Sequence, residues 1–331
     1  MMSGGSTRTG DACRETTLTG DSLNAVLDQV SDGVYFVDRE RRITYWSSGA
    51  QRITGYSAEE MVGTRCRDGL LMHVDDSGTC LCHEGCPLAA TIADGRQRGA
   101  TVYVRHKQGH RVPVAVRSAP LHDEHGQING AVETFADHSR RDSELDRLGE
   151  AERIVYVDPV TGLGNRRFFE MAFEARMIEW RRFERPFGLM LADLEQFQRI
   201  NDEHGRAAGD RVLGMVARTL AAATRTGDSV CRFGGDEFVL LLNCPDARHL
   251  ELAAHRISVL VRSAVLHADH ASLGVTLSIG ALMAAGDDPG SLLVRAHALL
   301  TRAKRAGGPR ITIDRTARAE GALCSLPIAV G

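Results

Sequence analysis

β-rich runs dominate the first part of the chain, and helical spacing occurs only in short segments there. The segment "GVYFVDRERRITYWS" contains two β-rich runs around a charged turn, which is typical of a hairpin. Three more β-rich runs follow, "TVYVRHK", "RVPVAVRSAPL" and "GAVETFAD", separated by "QGH" and "HDEHGQ". Apolar positions in "SLNAVLDQV" and the segment "AEEMVG" indicate short helices. The pattern predicts a small antiparallel sheet with short helices.

The pattern changes from residue 158 onward, where helical and strand runs alternate. Helices are predicted for "RRFFEMAFEARMIEWRRF", "GDRVLGMVARTLAAAT", "ARHLELAAHRISVLVRSA" and "SLLVRAHALLTRAKRAG". Strands are predicted for "FGLMLADL", "GVTLSIGAL" and "RITI", with a hairpin over residues 229–242. Alternation of this kind is typical of an α/β sheet flanked by helices.

A charged segment separates these two regions. Leu145, Leu148 and Val155 lie on one helical stripe that Glu152 interrupts. A two-stranded helical connector and a solvated linker helix fit equally, because the segment is shorter than the ~3–4 heptads that identify a coiled coil. The chain therefore divides into a flexible tail at 1–20, a first domain at 21–138, a helical linker at 139–157, a second domain at 158–318 and a loose C-terminal tail at 319–331.

The composition of the chain argues against a nucleic acid polymer or a membrane as its partner. The chain has 331 residues and a formal net charge of -3, so it lacks the basic excess of a protein that binds a nucleic acid polymer. No stretch approaches the ~18 uncharged apolar residues of a membrane span, and the N-terminus has no apolar signal region. The eight cysteines are too sparse for a disulfide scaffold. A cytoplasmic protein without a membrane partner is the simplest expectation.

The hairpin segment "SVCRFGGDEFVLLL" carries the strongest candidate chemistry. Its two glycines suit a turn that needs positive φ, and a well-formed hairpin alone would explain them. Asp236 and Glu237 follow at once, and adjacent acids repel one another unless a cation or solvent absorbs the charge. Asp193, near the end of "FGLMLADL", supplies a further carboxylate. Carboxylates that converge from different elements indicate a Mg²⁺ site that also binds substrate phosphates, and therefore nucleotide chemistry.

Residues 21–138 resemble a PAS sensor domain. The likeness lies in "DGVYFVDRERRITYWSSGAQRITGYSAEEMVG" and in "GHRVPVAVRSAPLHDEHGQINGAVETFAD", with Gly55 and Tyr56 as the best local landmarks. PAS domains are small antiparallel sheets that bind ligands or dimerise. The resemblance therefore implies sensing, without naming the signal.

The second domain strongly resembles the GGDEF-domain diguanylate cyclases over about residues 158–315. Five motifs occur in order: "DPVTGLGNRR", "LADLEQFQRINDEHGRAAGD", "RTGDSVCRFGGDEF", "TLSIG" and "RAKRAG". The family condenses two GTP molecules into cyclic di-GMP and pyrophosphate, and each domain of an antiparallel pair contributes one GTP. The resemblance implies a mixed α/β chain, an antiparallel PAS sheet followed by a nucleotidyl-cyclase-like sheet flanked by helices. It also implies Mg²⁺ or Mn²⁺ as the metal and a homodimer for activity.

The resemblance also implies roles for individual residues. Asp193, Asp236 and the backbone carbonyl of Leu194 would hold the metal ions. Asp236 and Glu237 would be catalytic, with an acid of this pair assisting departure of the 3′-hydroxyl proton.

Other positions match the family's nucleotide contacts. Asn201 and Asp210 would contact the guanine edge, since an amide and a carboxylate complement its donors and acceptors. Leu163 and Phe197 would line the base pocket, and Lys304 would contact phosphate. Without the resemblance, the polar pair would be read as cap and turn residues and the apolar pair as core.

Arg225 and Asp228 reproduce the RxxD site at which the family binds its own product, and Arg256 falls where a second arginine often completes it. As a bare pattern, RxxD more often marks a solvated pair at a helix end. Its fixed distance from the hairpin glycines favours product inhibition.

Several positions depart from the family pattern. Glu195 replaces an aspartate, Gln198 replaces a phosphate-contacting lysine, Arg206 replaces a histidine, and Gly308 replaces an arginine whose place Arg310 could take. Loss of positive charge around a triphosphate weakens binding, with each charge-assisted contact worth about 1.5 to 3 kcal/mol. The intact hairpin motif favours an active cyclase regulated by the PAS domain and by product. The alternative is a degenerate domain that only binds GTP or cyclic di-GMP for a partner.

A cysteine and histidine cluster lies in the first domain. It contains Cys66, His73, Cys80, Cys82 and Cys86, with His83 nearby. Thiolates with imidazole suit zinc, iron or an iron–sulfur centre, and a histidine could ligate haem. The spacing is not that of a zinc ribbon, and buried small residues around a helix that starts at Pro87 explain it slightly better. Metal binding or thiol redox sensing is the second interpretation and haem is the third.

Overall fold

The computed structural model describes residues 25–83, 85–138, 154–268, 271–284, 288–307 and 309–314. The predicted tails at 1–20 and 319–331 lie outside the described residues. Most of the predicted linker, residues 139–153, also lies outside them.

The first domain contains a five-stranded antiparallel sheet in the order β2-β1-β5-β4-β3. Its strands are β1 Gly33–Asp38, β2 Ile43–Trp46, β3 Arg98–Arg105, β4 Arg111–His122 and β5 Ile128–Asp137. Its helices are α1 Ser48–Thr54, α2 Ala58–Met61 and α3 Pro87–Asp94. The sheet and the short helices confirm the predicted fold of this domain.

Aromatic side chains form the centre of the first domain. The rings of Tyr35, Trp46 and Phe135 lie with centroids 5.5 to 6.2 Å apart. Tyr35 and Val37 are buried, whereas Phe36 between them is half-buried, which is the alternation expected when one face of a sheet covers a core. Apolar burial on this face holds the short helices against the sheet.

The second domain contains a five-stranded sheet in the order β12-β11-β6-β8-β7, with a separate two-stranded sheet β9-β10. Its strands are β6 Phe187–Leu194, β7 Ser229–Gly234, β8 Glu237–Leu242, β9 Val265–Ala268, β10 Ala271–Gly274, β11 Leu277–Ala284 and β12 Ile311–Asp314. Its helices are α4 Arg166–Phe183, α5 Phe197–His204, α6 Arg206–Ala223, α7 Ala247–Ser263 and α8 Pro289–Arg305. Strands β11 and β12 pair in parallel, whereas the pairs β11–β6, β6–β8 and β7–β8 are antiparallel.

Strand β6 lies at the centre of this sheet and is buried at every position. Met190 and Ala192 join the apolar cluster of α6 and α7, whereas Leu189 and Leu191 join that of α4 and α8. Successive side chains point to opposite faces of a strand, so the continuous apolar run covers two cores at once. The helices therefore lie on both faces, as the alternating pattern predicts.

The two domains pack directly against each other. Val74 and Tyr103 of the first domain belong to the same apolar cluster as α6 and α7. Arg111 is fully buried and donates through Nη1 to the carbonyl oxygen of Met72 at 2.6 Å and through Nη2 to that of Ser263 at 2.5 Å. This guanidinium therefore joins the domains by donating to a backbone carbonyl oxygen on each side.

No helix within the described ranges is both long and apolar enough to cross a membrane.

Candidate active site

The end of β6 lies beside the tip of the β7–β8 hairpin. Asp193 is the register partner of Glu237, the first residue of β8. The amide of Leu194 donates to the carbonyl oxygen of Asp236 at 3.2 Å. Antiparallel pairing of β6 with β8 therefore gathers Asp193, Asp236 and Glu237 where the end of β6 meets the start of β8. We call this group of three acids the acidic edge.

The hairpin tip leaves space for a ligand. A Cβ atom on Gly234 or Gly235 would meet no heavy atom within 4 Å beyond the chain neighbours. Gly235 has φ +55°, a conformation that glycine adopts without steric penalty. The Arg232 guanidinium donates to the Gly235 carbonyl oxygen through Nε at 2.9 Å and Nη2 at 2.7 Å. The backbone of the tip is thus both accessible and fixed.

Arg232 also ties the hairpin to the start of the domain. Its Nη1 lies 3.1 Å from Oδ1 of Asp158, which also accepts the amide of Thr161 at 2.9 Å. Burial alone would raise the pKa of Asp158, but hydrogen bonds from Thr161 and Arg232 bring it below its ordinary value. The sequence pattern does not reveal this ion pair, because only the folded chain brings the two segments together.

Lys304 neutralises part of the acidic edge. Its Nζ lies 2.7 Å from Oδ2 of Asp193, a carboxylate that is 9% exposed. Desolvation raises the pKa of Asp193, Lys304 opposes that effect, and the charges of Asp236 and Glu237 add to it. Asp193, Asp236 and Glu237 bring three carboxylates to this edge against the single ammonium of Lys304, so a further cation would stabilise it.

His297 of α8 is a further contact that the sequence analysis missed. Its Nε2 lies 3.2 Å from Oε1 of Glu237, and its Nδ1 lies 3.0 Å from the carbonyl oxygen of Leu293. His297 precedes Lys304 by two helical turns, so both lie on the same face of α8. The spacing of His297 from Lys304 along the helical run is the sequence feature that could have identified His297 as a site residue.

The acidic edge offers the oxygen ligands that Mg²⁺ prefers. Across the described part of the chain, no three His, Cys, Asp or Glu side chains are grouped so that they could hold a metal ion by themselves. Mg²⁺ usually needs only one or two carboxylates, because substrate phosphates and water complete its coordination. The carboxylates of Asp193 and Asp236 with the backbone of Leu194 fit that requirement.

The predicted guanine contacts lie at the junction of α5 and α6. A Cβ atom on Gly209 would lie 2.0 Å from Oδ1 of Asn201 and 3.3 Å from the ring of Phe197. Glycine at position 209 therefore lets Asn201 and the exposed Asp210 occupy neighbouring positions. Leu163 is buried in the adjacent apolar cluster, and Phe197 packs half-buried against it.

Comparison with family models decides the class of the two domains. A model described as "Diguanylate cyclase, GGDEF domain" matches residues 155–310, and a PAS-fold model matches residues 27–143. The chain carries a PAS domain followed by a GGDEF domain.

Two curated diguanylate cyclases are similar to about half of this chain. Diguanylate cyclase DgcP of Pseudomonas aeruginosa is 32% identical over 50% of this chain and 25% of DgcP. Diguanylate cyclase DgcM of Escherichia coli K12 is 36% identical over 51% of this chain and 41% of DgcM. A crystal structure of the coiled coil and GGDEF domain of DgcB from Caulobacter crescentus, in complex with c-di-GMP, is 25% identical with a TM-score of 0.48, covering 50% of this chain and 88% of that one. The chain spans less than half the length of these two curated relatives.

The departures from the GGDEF pattern have different surroundings. Glu195 accepts a hydrogen bond from the hydroxyl of Ser278. Gln198 is exposed and donates to Oδ1 of Asp202 at 2.8 Å. Arg310 donates to the carbonyl oxygen of Gly307 at 3.3 Å and lines a cleft with residues of α7. Position 308 lies outside the described residues, and Arg206 is exposed at the start of α6.

The RxxD residues form the turn after α6. Asp228 is 6% exposed, and its carboxylate accepts the amides of Arg225 and Asn243, each at 2.8 Å. Arg256 of α7 donates through Nε at 3.2 Å and Nη2 at 2.9 Å to the carbonyl oxygen of Ala223. Asp228 is thus a buried residue that shapes the turn, and not the solvated helix-end residue that the bare pattern suggests.

The PAS core contains a buried polar cluster. The hydroxyl of Tyr35 donates to Oε1 of Glu133 at 2.7 Å, and Nε2 of His73 lies 3.7 Å from the same atom. Burial raises the pKa of Glu133 to about 7, with the Tyr35 hydrogen bond opposing it, and burial together with Arg111 lowers that of His73 to about 4. Tyr35 and Glu133 could not be assigned to this cluster from the sequence, because they lie on strands far from its cysteines along the chain.

The cysteines next to this cluster behave as buried thiols. Cys66 and Cys82 are buried, and Sγ of Cys82 lies 3.7 Å from Nδ1 of His73. Burial raises the pKa of Cys66 well above its ordinary value and that of Cys82 to about 12, so both favour the neutral thiol. Cys80 and Cys86 are half-buried.

The metal and haem interpretations of the cysteine cluster receive no support from this geometry. Cys66, His73, Cys80, Cys82 and Cys86 all belong to the described residues, and no three of these side chains are grouped so that they could hold a metal ion. The cavity that three of these cysteine side chains help to line holds about 10 Å³, which is room for about one water molecule and too little for a haem. Packing of small residues describes the cluster best, and thiol redox sensing stays a prediction.

Proposed function

We propose that the chain is a diguanylate cyclase that condenses two GTP molecules into cyclic di-GMP and pyrophosphate. The single observation that carries the proposal is the acidic edge, where Asp193 lies beside the Asp236–Glu237 pair on paired strands. Five motifs in family order and the GGDEF family match support it.

In this proposal Asp193, Asp236 and the Leu194 carbonyl hold Mg²⁺ or Mn²⁺, which neutralises the triphosphate when bound. Lys304, which pairs with Asp193 in the structure, would supply a second cation beside the metal and would contact a phosphate oxygen of the substrate. Glu237 lies at the same edge and accepts the proton of the attacking 3′-hydroxyl, while His297 positions its carboxylate. The new bond joins the 3′-oxygen to the α-phosphorus, and pyrophosphate leaves.

Guanine recognition follows from the α5–α6 junction. Asn201 offers a donor and an acceptor and Asp210 accepts from the ring and exocyclic N–H groups, which complements guanine and not adenine. Leu163 and Phe197 supply apolar contact for the base. We therefore assign GTP as the substrate. One such site holds one GTP, so we also propose that two copies of the chain pair as a homodimer during catalysis.

The RxxD turn and the PAS domain are the proposed sites of regulation. Arg225 and Arg256 present guanidinium groups that suit the phosphates of cyclic di-GMP, and Asp228 fixes the turn that carries Arg225. We propose that product bound here slows synthesis, and that the PAS domain regulates the same enzyme.

The direct test is to incubate the purified full chain with GTP and Mg²⁺ and to identify the product by mass spectrometry. We expect cyclic di-GMP and pyrophosphate, with a specific rate that rises with protein concentration because catalysis needs two copies. The Glu237→Gln variant should form at most a small fraction of the product. If the wild-type chain forms none at any concentration but still binds GTP, the degenerate binding module is the correct function.

The exposed residue Gln198 supports that second candidate and yields a separate prediction. Gln198→Lys restores a positive charge on the first turn of α5, and we expect the KM for GTP to fall several-fold, since a charge-assisted contact is worth about 1.5 to 3 kcal/mol when well placed and less in solvent. Initial rates over a GTP series measure it. The uncharged Gln198→Leu variant is the matched control and should not lower KM. An unchanged KM in the lysine variant would show that residue 198 lies away from the phosphates.

A further inference from the structure

A groove of about 1000 Å³ runs along the outer edge of the GGDEF sheet. Strand β12 lies at one end of the strand order and pairs with β11 on one side. Helices α7 and α8 cover opposite faces of the sheet, so a space that both of them border crosses the edge at β12. We call it the β12 groove, lined by residues of α7 from Glu251 to Arg262, by Arg302 of α8 and by the segment 309–313.

Strand β12 presents backbone groups to this groove. The carbonyl oxygen of Arg310 accepts the amide of Ile279 at 2.8 Å, and β12 continues from there in parallel register with β11. In a parallel ladder alternate residues bond to the neighbouring strand. Thr312 therefore bonds to β11, whereas the N–H and C=O groups of Ile311 and Ile313 point the opposite way. A sheet edge of this kind accepts a further strand.

The side chains of β12 show which pattern an added strand would need. Ile311 and Ile313 pack half-buried against the apolar cluster of α6 and α7. Thr312 points to the opposite face, where Arg302 of α8 lines the groove. Side chains of an added strand alternate in the same way. Every second one would therefore lie beside the isoleucines, and the others would lie on the side of Arg302.

The β12 groove is cationic. Arg262, Arg302 and Arg310 line it and are exposed, with Glu251 as the acid among the lining residues. Within the described ranges, neither Arg262 nor Arg302 forms an ion pair. An acidic segment therefore complements the groove, whereas a basic segment is repelled.

We propose that the β12 groove binds an extended acidic segment of a partner protein, which pairs with β12 as an additional strand of the five-stranded GGDEF sheet. The segment alternates apolar side chains, which lie beside Ile311 and Ile313, with acidic side chains, which face Arg302. Backbone hydrogen bonds supply affinity, and the alternation supplies specificity. The hairpin of β7 and β8 lies at the opposite end of the strand order, so this binding does not need GTP.

Fluorescence anisotropy of a labelled decapeptide that alternates glutamate and valine tests the proposal. The peptide is titrated with the purified full chain at low salt and without GTP. We expect saturable binding that weakens as salt is added, because exposed ion pairs are screened. A peptide with lysine in place of glutamate should bind several-fold more weakly. Equal binding of the two peptides, or binding of neither, would overturn the proposal.

Removal of one arginine charge locates the binding site. Arg302→Gln should weaken binding of the acidic peptide several-fold, the size expected for an exposed ion pair. Arg181→Gln, at an exposed position on α4 outside the groove, is the matched control and should bind like the wild type. An equal loss in both variants would mean that the peptide responds to the overall charge and not to the groove.

A proline on β12 tests whether the peptide joins the sheet. Ile313→Pro removes an N–H group that points away from β11, and edge strands tolerate proline for that reason. We expect this variant to lose peptide binding, whereas Ile313→Val keeps the N–H group and should bind normally. A decapeptide N-methylated at alternate residues should also fail to bind the wild type, whatever the stability of the proline variant. Normal binding of the methylated peptide would show that no strand pairing occurs.

Other occupants of the β12 groove would give different results. A chain without residues 319–331 should bind the peptide like the full chain. A several-fold gain in affinity would assign the groove to the C-terminal residues of this chain instead of to a partner. Self-association that the acidic peptide reverses and that Ile313→Pro abolishes, measured by sedimentation, would assign it to a second copy.

Discussion

Replacing Asp193 with asparagine should lower the rate of cyclic di-GMP synthesis by about a thousandfold. The asparagine keeps the shape of the side chain and removes the charge that faces Lys304 and the hairpin acids. Metal neutralisation of a phosphoryl group is worth several kcal/mol, and each 1.36 kcal/mol changes a rate about tenfold. Steady-state synthesis with saturating GTP and Mg²⁺ measures the loss.

The same substitution should not destabilise the folded chain in the absence of nucleotide and metal. The raised pKa of Asp193 means that its charged form is unfavourable in the fold, although the ion pair with Lys304 offsets part of this. We therefore expect the melting temperature of Asp193→Asn to equal or exceed that of the wild type, a trade of stability against function. Glu174→Gln, at an exposed position on α4, is the control for charge removal and should keep full activity. If the Asp193→Asn variant melts well below the wild type, unfolding would explain the lost activity.

Replacing Glu133 with glutamine should stabilise the PAS domain at pH 8. Glu133 is 3% exposed, and burial raises its pKa from 4.5 to about 7, so at pH 8 the fold holds a buried charge. Glutamine keeps an oxygen that accepts the Tyr35 hydroxyl and carries no charge. A shift of this size corresponds to roughly 3 kcal/mol as an upper bound, because one pKa unit is worth 1.36 kcal/mol.

The pH dependence has a definite sign. Between pH 4.5 and about 7 the folded state holds a proton on Glu133 that the unfolded state has released, so this residue makes stability fall as pH rises through that window. The advantage of the glutamine variant should therefore be largest above pH 7 and vanish below pH 4.5. His73, whose pKa is lowered to about 4, gives the opposite slope, but it is present in both proteins.

Urea unfolding at pH 5 and pH 8 measures this difference. The chain has two tryptophans, so a Trp180→Phe background leaves Trp46, inside the PAS core, as the fluorescent reporter. Glu124→Gln at an exposed turn is the control and should leave the unfolding curve unchanged at both pH values. A glutamine variant at position 133 that gains equal stability at pH 5 and pH 8 would contradict a buried, titrating carboxylate.

The sequence pattern predicted most elements, because the helical runs repeat apolar residues every three to four positions and the strand runs are short and rich in β-favouring residues. The segment "FGLMLADL" became β6 and "RRFFEMAFEARMIEWRRF" became α4, both over the predicted residues. Helix α5 and the β9–β10 sheet were not predicted. Helix α5 buries only Ile200, and β9 and β10 have four residues each, so neither has an apolar pattern long enough to stand out.

The site was predictable where a motif fixes the backbone and not where distant segments meet. Asp193 lies near the end of one predicted strand, and Asp236 and Glu237 lie in the predicted hairpin. In the structure these strands are paired, so the three acids lie together. The Arg232–Asp158 ion pair and the hydrogen bond from Arg111 to Ser263 depend on packing between segments far apart in sequence. Periodicity carries no information about such contacts.

The buried Arg111 side chain constrains how a signal in the PAS domain can travel. Its guanidinium holds carbonyl oxygens of Met72 and Ser263, and among the described residues its Nε has no hydrogen-bond partner. A small sliding motion would break these bonds without admitting water to replace them, which leaves a desolvated charge unpaired. Intermediate positions of the two domains are therefore unfavourable. Any rearrangement of this interface should be an all-or-none release.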